Sequence, residues 1–210
     1  MPLTPLTSIA LATFNGARFL DDQISSLLAQ DYPNIEIIVS DDGSTDGTWD
    51  ILQMYASKDG RISLLPRREN LGYVGNFMRA YSACNGDFIS PCDQDDIWHI
   101  SKTSRLVAEI DEMDLIYCNN RYIDSEGRPM NAQYSDFHKM FSGNDPRQLL
   151  FATSVCGHAS LFRKKLLKDW FYLKDLPYVD WAIAFLAANG RGVRYLDETL
   201  VDWRQHNSSF

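Results

Sequence analysis

Apolar residues in the first half of the chain follow two alternating patterns. Short, nearly continuous apolar runs are typical of buried strands and cover residues 8–13, 35–39, 62–65 and 88–90. Between these runs, apolar positions recur at helical spacing over 19–30, 48–55 and 71–84. Continuous apolar strands alternating with amphipathic helices are typical of sheets covered on both faces. The pattern predicts an α/β fold with a mostly parallel central sheet flanked by helices.

The second half of the chain has a less regular pattern. It predicts helices over 101–112, 146–151 and 180–186, and strands over 115–118, 159–162 and 193–196. A turn at 124–127 has the composition of a hairpin connection, and the polar and aromatic stretch 131–144 is expected to form a mobile loop over the site. Because no repeat, linker or low-complexity tract interrupts the sequence, we expect one domain over residues 1–210.

Composition narrows the classes of function. The 210 residues are 45% hydrophobic, enough for a sizeable core, and the net charge of −8 disfavours a nucleic-acid partner. Four scattered cysteines (84, 92, 118 and 156) lack metal-ligand spacing and indicate free thiols in a reducing compartment. We find neither a signal peptide nor an apolar run of the roughly 18 residues that a membrane span needs. We therefore expect a soluble, cytoplasmic protein.

Polar clusters follow three of the predicted strands. Residues 13–15 come directly after the first strand, 41–42 after the second, and 93–95 after the fourth. In open α/β sheets, ligands bind where the carboxyl ends of the strands meet their loops. The three clusters should therefore line one edge of the sheet.

The cluster after the fourth strand contains three carboxylates, Asp93, Asp95 and Asp96. Carboxylates are hard oxygen ligands, and two of them at a strand end are suited to hold Mg²⁺ or Mn²⁺ against a diphosphate. Taken alone, such a cluster is more often an acidic turn that begins the next helix. Asp42 and Asp46 are expected to serve as turn and capping residues rather than as ligand contacts.

These motifs together resemble the inverting glycosyltransferases of family 2, which have the GT-A fold. The resemblance rests on Thr-Phe-Asn-Gly at 13–16, Asp-Asp-Gly-Ser-Thr-Asp at 41–46, Glu-Asn-Leu-Gly at 69–72 with Asn76, Asp-Gln-Asp-Asp at 93–96, and Asp180. It covers nearly the whole chain. The segments Asp-Gln-Asp-Asp-Ile-Trp at 93–98 and Trp-Arg-Gln-His at 203–206 also resemble those of rhamnosyltransferase-like members of the family.

The resemblance implies a role for each matching residue on the donor side. Asp41 would accept a hydrogen bond from the nucleotide base, and Thr13 and Asn15 would hold the base and its ribose. Asp93 would reach the ribose or the metal, and Asp95 would coordinate Mg²⁺ or Mn²⁺ bridging the two phosphates. The donor would be a UDP- or dTDP-sugar. Residues 1–98 would then form the nucleotide-sugar-binding half, and 99–210 the acceptor-binding half.

Three residues of the second half are further candidates. Asp180 matches the catalytic base of the family, although Val179 precedes it where the family usually has Glu; the alternative is a helix N-cap. His206 is a candidate third metal ligand because neutral imidazole suits Mn²⁺, the alternative being a surface histidine. His158 is expected to face the acceptor or to be a structural histidine.

Two other functions stay open at this point. A noncatalytic nucleotide-sugar binding or assembly module would keep the donor half and lack the base. A sugar-1-phosphate nucleotidyltransferase would need a Gly-rich basic phosphate loop after the first strand, where this chain has only Arg18 nearby. The resemblance favours transfer of a sugar to a saccharide or lipid-linked saccharide acceptor in polysaccharide or glycolipid assembly, with the inner membrane surface as a further contact.

Overall fold

The computed structural model describes residues 4–172 and 178–206. The strands in this part of the chain are β1 (Thr7–Thr13), β2 (Ile35–Asp41), β3 (Ile62–Leu64), β4 (Phe88–Cys92), β5 (Ile97–Trp98), β6 (Leu115–Ile123), β7 (Pro129–Gln133), β8 (Ser160–Arg163) and β9 (Val193–Arg204). The α-helices are α1 (Leu20–Leu28), α2 (Thr48–Lys58), α3 (Gly72–Ala83), α4 (Lys102–Glu109) and α5 (Val179–Asn189). Short 3₁₀ segments cover Tyr134–Asp136, Pro146–Leu149, Gly157–Ala159 and Lys164–Tyr172.

The described strands form one mixed sheet in the order β3-β2-β1-β4-β8-β6-β9-β5, with β7 paired to the outer part of β6. Strands β1 to β4 are mutually parallel, as the alternating pattern predicts. Strand β8 runs antiparallel to both β4 and β6, and β9 pairs parallel with β6. The predicted α/β class with a mostly parallel sheet is confirmed.

Strand register brings the predicted polar clusters to one edge. Thr13 lies opposite Asp41 in the β1–β2 pair, and Leu11 lies opposite Cys92 in the β1–β4 pair. Asp93 therefore begins its loop at almost the level where β1 and β2 end. Because β8 runs in the opposite direction, its amino end, preceded by the 3₁₀ segment Gly157–Ala159, reaches the same edge.

The core lies on both faces of the sheet. Alternate β1 residues face opposite sides, so Ile9 and Leu11 pack in one buried cluster and Ala10 in another. The first cluster includes apolar side chains of α1, α2 and α4, and the second includes those of α3 and α5. This two-sided cover explains why the strands read as continuous apolar runs rather than as alternating ones.

Four strands differ from the sequence-based predictions. Strand β6 has 9 residues, whereas the apolar run predicted a strand over 115–118 only. Strand β9 has 12 residues, whereas the apolar run predicted a strand over 193–196 only. Its middle residues 197–199 are polar, and the register shifts beside Cys118, so the first apolar run stops there although Leu200 and Val201 are buried again further along the strand. Strand β5 was not predicted because it has two residues. Strand β7 occupies the start of the stretch predicted as a loop over 131–144.

The four cysteines are buried free thiols, as the spacing indicates. Among the helices described, none has the length and apolar character that crossing a membrane requires.

Gly86, just before β4, provides a test of this packing. A Cβ added there would lie 2.6 Å from the carbonyl oxygen of Leu6 and 2.8 Å from the amide nitrogen of Ser8, both backbone atoms. We expect Gly86→Ala to lower the free energy of unfolding by about 1–3 kcal/mol, because the β1 backbone must move. Urea unfolding measures this change.

Gly60→Ala is the matched control, since a Cβ at Gly60 meets no described atom within 4 Å. Alanine there should stabilise by about 0.4–1 kcal/mol through the unfolded chain. Equal effects of the two substitutions would show that the approach of β1 and β4 at Gly86 is not tight.

Candidate active site

The loops after β1 and β2 meet at Asp41, which is buried. Thr13 Oγ1 donates to Asp41 Oδ1 at 3.0 Å, and Ser44 donates to the same carboxylate through its backbone N–H and its hydroxyl. Arg67 Nε lies 3.8 Å from Asp41 Oδ2, with its side chain about half exposed. Oδ1 thus accepts from two hydroxyl groups, and Oδ2 accepts from the N–H of Ser44 and lies nearest to Arg67.

Asn15 joins the same two loops. It has a φ of 50°, in the left-handed region that asparagine tolerates better than most residues. Its backbone N–H donates to Ser44 Oγ at 2.9 Å, and its side-chain Oδ1 accepts from the backbone N–H of Thr45 at 2.8 Å. Ser44 therefore links Asn15 to Asp41, and Thr13 binds Asp41 directly.

Gln94 connects the loop after β1 to the loop after β4. Its Oε1 accepts from the N–H of Phe14 at 2.8 Å, and its Nε2 donates to the carbonyl of Phe14 at 3.1 Å. The side chain lies so close to Gly16 that a Cβ there would be 2.1 Å from Oε1. Gln94 therefore fixes the spacing of the two loops, a role that the sequence did not reveal.

Asp42 and Asp46 accept hydrogen bonds from backbone N–H groups at the starts of two helices, so their predicted capping role is confirmed. Asp42 accepts from the N–H groups of Leu71 and Gly72 at the start of α3, at 2.7 and 2.9 Å. Asp46 accepts from the N–H of Thr48, the first residue of α2, at 2.9 Å.

The three aspartates after β4 have different environments. Asp93 is about one-third exposed, and its Oδ2 lies 3.5 Å from His158 Nδ1. Asp95 Oδ2 lies 2.8 Å from His206 Nε2. Asp96 is fully buried; its Oδ1 accepts from the N–H of Arg204 at 3.1 Å, and its Oδ2 has no partner among the residues described.

Burial and mutual repulsion leave negative charge poorly compensated at this edge. Burial raises the pKa of Asp95, and the charge of Asp93 raises it further. Burial raises the pKa of Asp96 to about 7. The raised pKa values mean that both ionised carboxylates are less stable here than in water. A cation bound beside them would stabilise the ionised forms.

The carboxylate oxygens and imidazole nitrogens at this edge fit a divalent cation. One carboxylate oxygen each from Asp93 and Asp96 and a ring nitrogen of His158 lie within 4.8 Å of one another, and Asp95 with His206 lies next to them. Carboxylate oxygens suit both Mg²⁺ and Mn²⁺, and imidazole nitrogen suits Mn²⁺ better. The predicted ligands Asp93 and Asp95 thus lie together, and the predicted ligand His206 contacts Asp95.

Arg204, at the end of β9, ties the aspartate loop to the rest of the fold. Its Nε donates to the carbonyl of Asp95 at 2.8 Å, and its guanidinium also contacts Asp22 and the carbonyl of Ser125. The side chain is 2% exposed and lies over the ring of Phe19. The ending Trp-Arg-Gln-His at 203–206 thus holds the aspartates through Arg204 and His206.

Lys102 is a second buried cation that sequence reasoning missed. Its Nζ donates to the carbonyl of His158 at 2.6 Å and to Ser90 Oγ at 3.3 Å, over the face of Trp98. Burial lowers the pKa of Lys102 to about 7, and the charges of Asp96 and Asp93 oppose that shift. Lys102 thereby holds the 3₁₀ segment Gly157–Ala159 against the aspartate edge.

Asp180 lies in the first turn of α5, next to this 3₁₀ segment. A Cβ on Gly157 would be 3.2 Å from Asp180 Cβ. Burial raises the pKa of Asp180, and the charge of Asp93 raises it further. Tyr178 rather than Asp180 occupies the N-cap position, but Asp180 Oδ1 accepts from the N–H of the following Trp181, so the carboxylate also stabilises the first turn of α5.

The sequence of the chain is similar to that of known glycosyltransferases. A model of the family described as glycosyl transferase family 2 matches residues 8–171. An Escherichia coli relative named UDP-Glc:alpha-D-GlcNAc-diphosphoundecaprenol beta-1,3-glucosyltransferase WfaP is 28% identical over 208 residues, covering 97% of this chain and 79% of that protein.

Two solved structures show the same fold. The S. aureus TarS fragment 1–349 in complex with UDP-GlcNAc has a TM-score of 0.74 at 22% identity, covering 97% of this chain and 60% of that one. The mannosyltransferase PcManGT from Pyrobaculum calidifontis, in complex with GDP-Man and Mn²⁺, has a TM-score of 0.75 at 18% identity, covering 99% of this chain and 59% of that one.

The chain is shorter than many of the proteins that it matches. It spans 67%, 65% and 62% of the length of three bacterial relatives. The family model nevertheless covers most of the chain, including the loops after β1, β2 and β4. The chain belongs to glycosyl transferase family 2.

Proposed function

We propose that this protein transfers a sugar, with inversion and with the help of a divalent cation, from a UDP- or dTDP-sugar to a hydroxyl acceptor. The observation that carries the proposal is the convergence of Asp41, Asp93 and Asp95 on one sheet edge, with Asp180 beside it. The bound UDP-GlcNAc of TarS and the GDP-Man and Mn²⁺ of PcManGT, both on the same fold, support a nucleotide-sugar donor and a metal.

Residues of the first half would bind the nucleotide. Asp41, held by Thr13 and Ser44, would accept a hydrogen bond from the N–H of a pyrimidine base. Uracil and thymine present the same N–H, so both bases suit this position. Asn15, from the same pair of loops, would contact the base or the ribose, and Asp93 would reach the ribose. Gln94 would keep these contacts in register by fixing Phe14 against the aspartate loop.

Asp95 and Asp93 would hold the cation against the diphosphate, with His206 next to Asp95 as the third candidate ligand. A bound Mn²⁺ or Mg²⁺ supplies Lewis-acid stabilisation of the negative charge that develops on the leaving diphosphate. Arg204, which binds the carbonyl of Asp95, would keep that carboxylate in place as the charge changes.

Asp180 would act as the general base. The Asp180 carboxylate lies at the start of α5, close enough to Asp93 for the charge of Asp93 to raise its pKa. This position would be on the acceptor side of the site. The raised pKa of Asp180 brings its basicity nearer to what proton removal from a hydroxyl requires. One carboxylate is enough for direct inverting displacement, because no covalent sugar intermediate forms.

The acceptor would bind to the half formed by residues 99–210. The diphosphoundecaprenol-linked acceptor in the name of the E. coli relative supports a saccharide or lipid-linked saccharide acceptor, in polysaccharide or glycolipid assembly. A protein that acts on such an acceptor would work at the cytoplasmic side of the membrane, in peripheral contact with it. The sugar transferred would be a hexose or a rhamnose.

Asp95→Asn tests the donor site. The amide removes one negative charge and one oxygen ligand while keeping the shape of the side chain, so Mn²⁺-dependent affinity for the nucleoside diphosphate should fall by about tenfold or more. Isothermal titration with UDP and with dTDP, each with and without Mn²⁺, measures it. Asp21→Asn, on the exposed start of α1, is the matched control and should bind like wild type. Undiminished Mn²⁺-dependent binding in Asp95→Asn would contradict the assignment.

Asp180→Asn tests the base. We expect loss of transfer by about a hundredfold or more with donor affinity nearly unchanged, because general-base catalysis contributes about 10²–10⁴-fold. The exposed Asp169→Asn is the control. In wild type, the transfer rate should fall as the pH drops through the raised pKa of Asp180, at a higher pH than an ordinary aspartate would give. Asp180→Asn that keeps full transfer would exclude Asp180 as the base.

A further inference from the structure

His158 lies in the wall of the aspartate edge, on the 3₁₀ segment between the sheet and α5. Its side chain is 6% exposed, and its Nδ1 points to Asp93 Oδ2 at 3.5 Å. That separation exceeds the roughly 2.7–2.9 Å of a charge-assisted hydrogen bond. The two groups face each other without forming a close ion pair.

Three contacts fix the ring from the other sides. Asn120 Nδ2 lies 2.8 Å from Nε2, the ring of Trp203 packs against the imidazole at 4.9 Å, and Lys102 Nζ holds the backbone carbonyl at 2.6 Å. Metal-binding histidines are oriented in this way, by a partner on the nitrogen that does not bind the metal and by packing around the ring.

The opening between His158 and the carboxylates has the size of an ion site. One ligand atom each of His158, Asp93 and Asp96 lies within 4.8 Å of the others. Around a cation with ligand distances of about 2.1 Å, neighbouring ligand atoms lie roughly 3 to 4.2 Å apart. Small movements of these three side chains would therefore bring their ligand atoms to the distances that a bound cation requires.

An independent observation also points to a cation. Asp96 Oδ2 belongs to a fully buried side chain and has no hydrogen-bond partner among the described residues. A buried, unpartnered carboxylate oxygen is costly unless something absent from the protein itself satisfies it. Asn120 Oδ1 also lacks a partner within the described part of the chain, whereas Asn120 Nδ2 lies at Nε2. Turning the Asn120 amide over would place Oδ1 at Nε2, where it accepts from Nε2–H and leaves Nδ1 unprotonated.

We propose that His158, through Nδ1, is a nitrogen ligand of the divalent cation at this edge, with Asp93 and Asp96 as its carboxylate neighbours. The inference rests on the proposed function, which calls for a cation here, and adds to it a ligand from the acceptor half of the chain. His158 would then link the metal to the segment that lies against Asp180.

The chain has four histidines, which allows a direct test without substituting the buried one. A variant carrying His99→Gln, His138→Gln and His206→Gln, expressed without a histidine tag, keeps His158 as its only histidine. Pulsed electron paramagnetic resonance of bound Mn²⁺ detects coupling to histidine nitrogen, and labelling histidine with the heavy nitrogen isotope identifies that signal. We expect the coupling to persist in this variant and to change with the label.

Adding His158→Gln should abolish the coupling and weaken Mn²⁺ binding by about tenfold. Far-ultraviolet circular dichroism and the unfolding midpoint check that this last variant is folded; if it is not, the three-residue variant alone decides. Histidine coupling in wild type that vanishes in the three-residue variant would overturn the inference.

Failure of the inference is distinguishable from failure of the proposed function. Wild type that binds Mn²⁺ without any histidine coupling overturns the His158 assignment and leaves nucleotide-dependent transfer intact. Wild type that binds no Mn²⁺, with or without UDP, also overturns it, and donor binding and transfer are then measured without metal. Neither result depends on an activity assay.

Discussion

Three carboxylates within four residues, at the end of a buried strand, are the constraint around which this edge of the molecule is arranged. Carboxylates so close repel one another, and burial makes their ionised forms costlier still, as the raised pKa values of Asp95 and Asp96 reflect. The fold offsets that charge with Arg204, Lys102 and two histidines. The compensation is partial, and a divalent cation would complete it.

Parallel strands supply the geometry that this electrostatic arrangement needs. The register of β1, β2 and β4 aligns three loop beginnings, and the reversed strand β8 brings a fourth segment from the second half of the chain to the same edge. The side-chain bonds of Gln94, Ser44 and Asp42 then fix the loops to one another. In the proposed function, these fixed loops form the donor site, and Asp180 with the Gly157–Ala159 segment lies on the acceptor side.

The sequence predicted the parts of this arrangement that depend on local pattern. Continuous apolar runs located β1 to β4, and because strand ends share an edge, the clusters at 13–15, 41–42 and 93–95 could be placed together. The capping roles of Asp42 and Asp46 followed from turn composition.

The parts that depend on distant partners could not be predicted. Gln94 pairs with a residue 80 positions away, and Arg204 with one 109 positions away. From the sequence, Lys102 is expected on the surface of α4. In the fold its Nζ binds the carbonyl of His158, which is 56 positions further along the chain. The polar residues 197–199 interrupt the apolar pattern of β9, and the part of the strand beyond them carries Arg204 to the aspartates.

The central claim is that the loops after β1, β2 and β4 form one nucleotide site. Hydrogen exchange of the wild-type protein, with Mn²⁺ and either UDP, dTDP or GDP, tests it most directly. One of these nucleotides should slow exchange in all three segments, 13–16, 41–48 and 93–98, and leave β7 unchanged. If no nucleotide slows exchange in these segments, or if protection appears only elsewhere, the three loops do not form a nucleotide site.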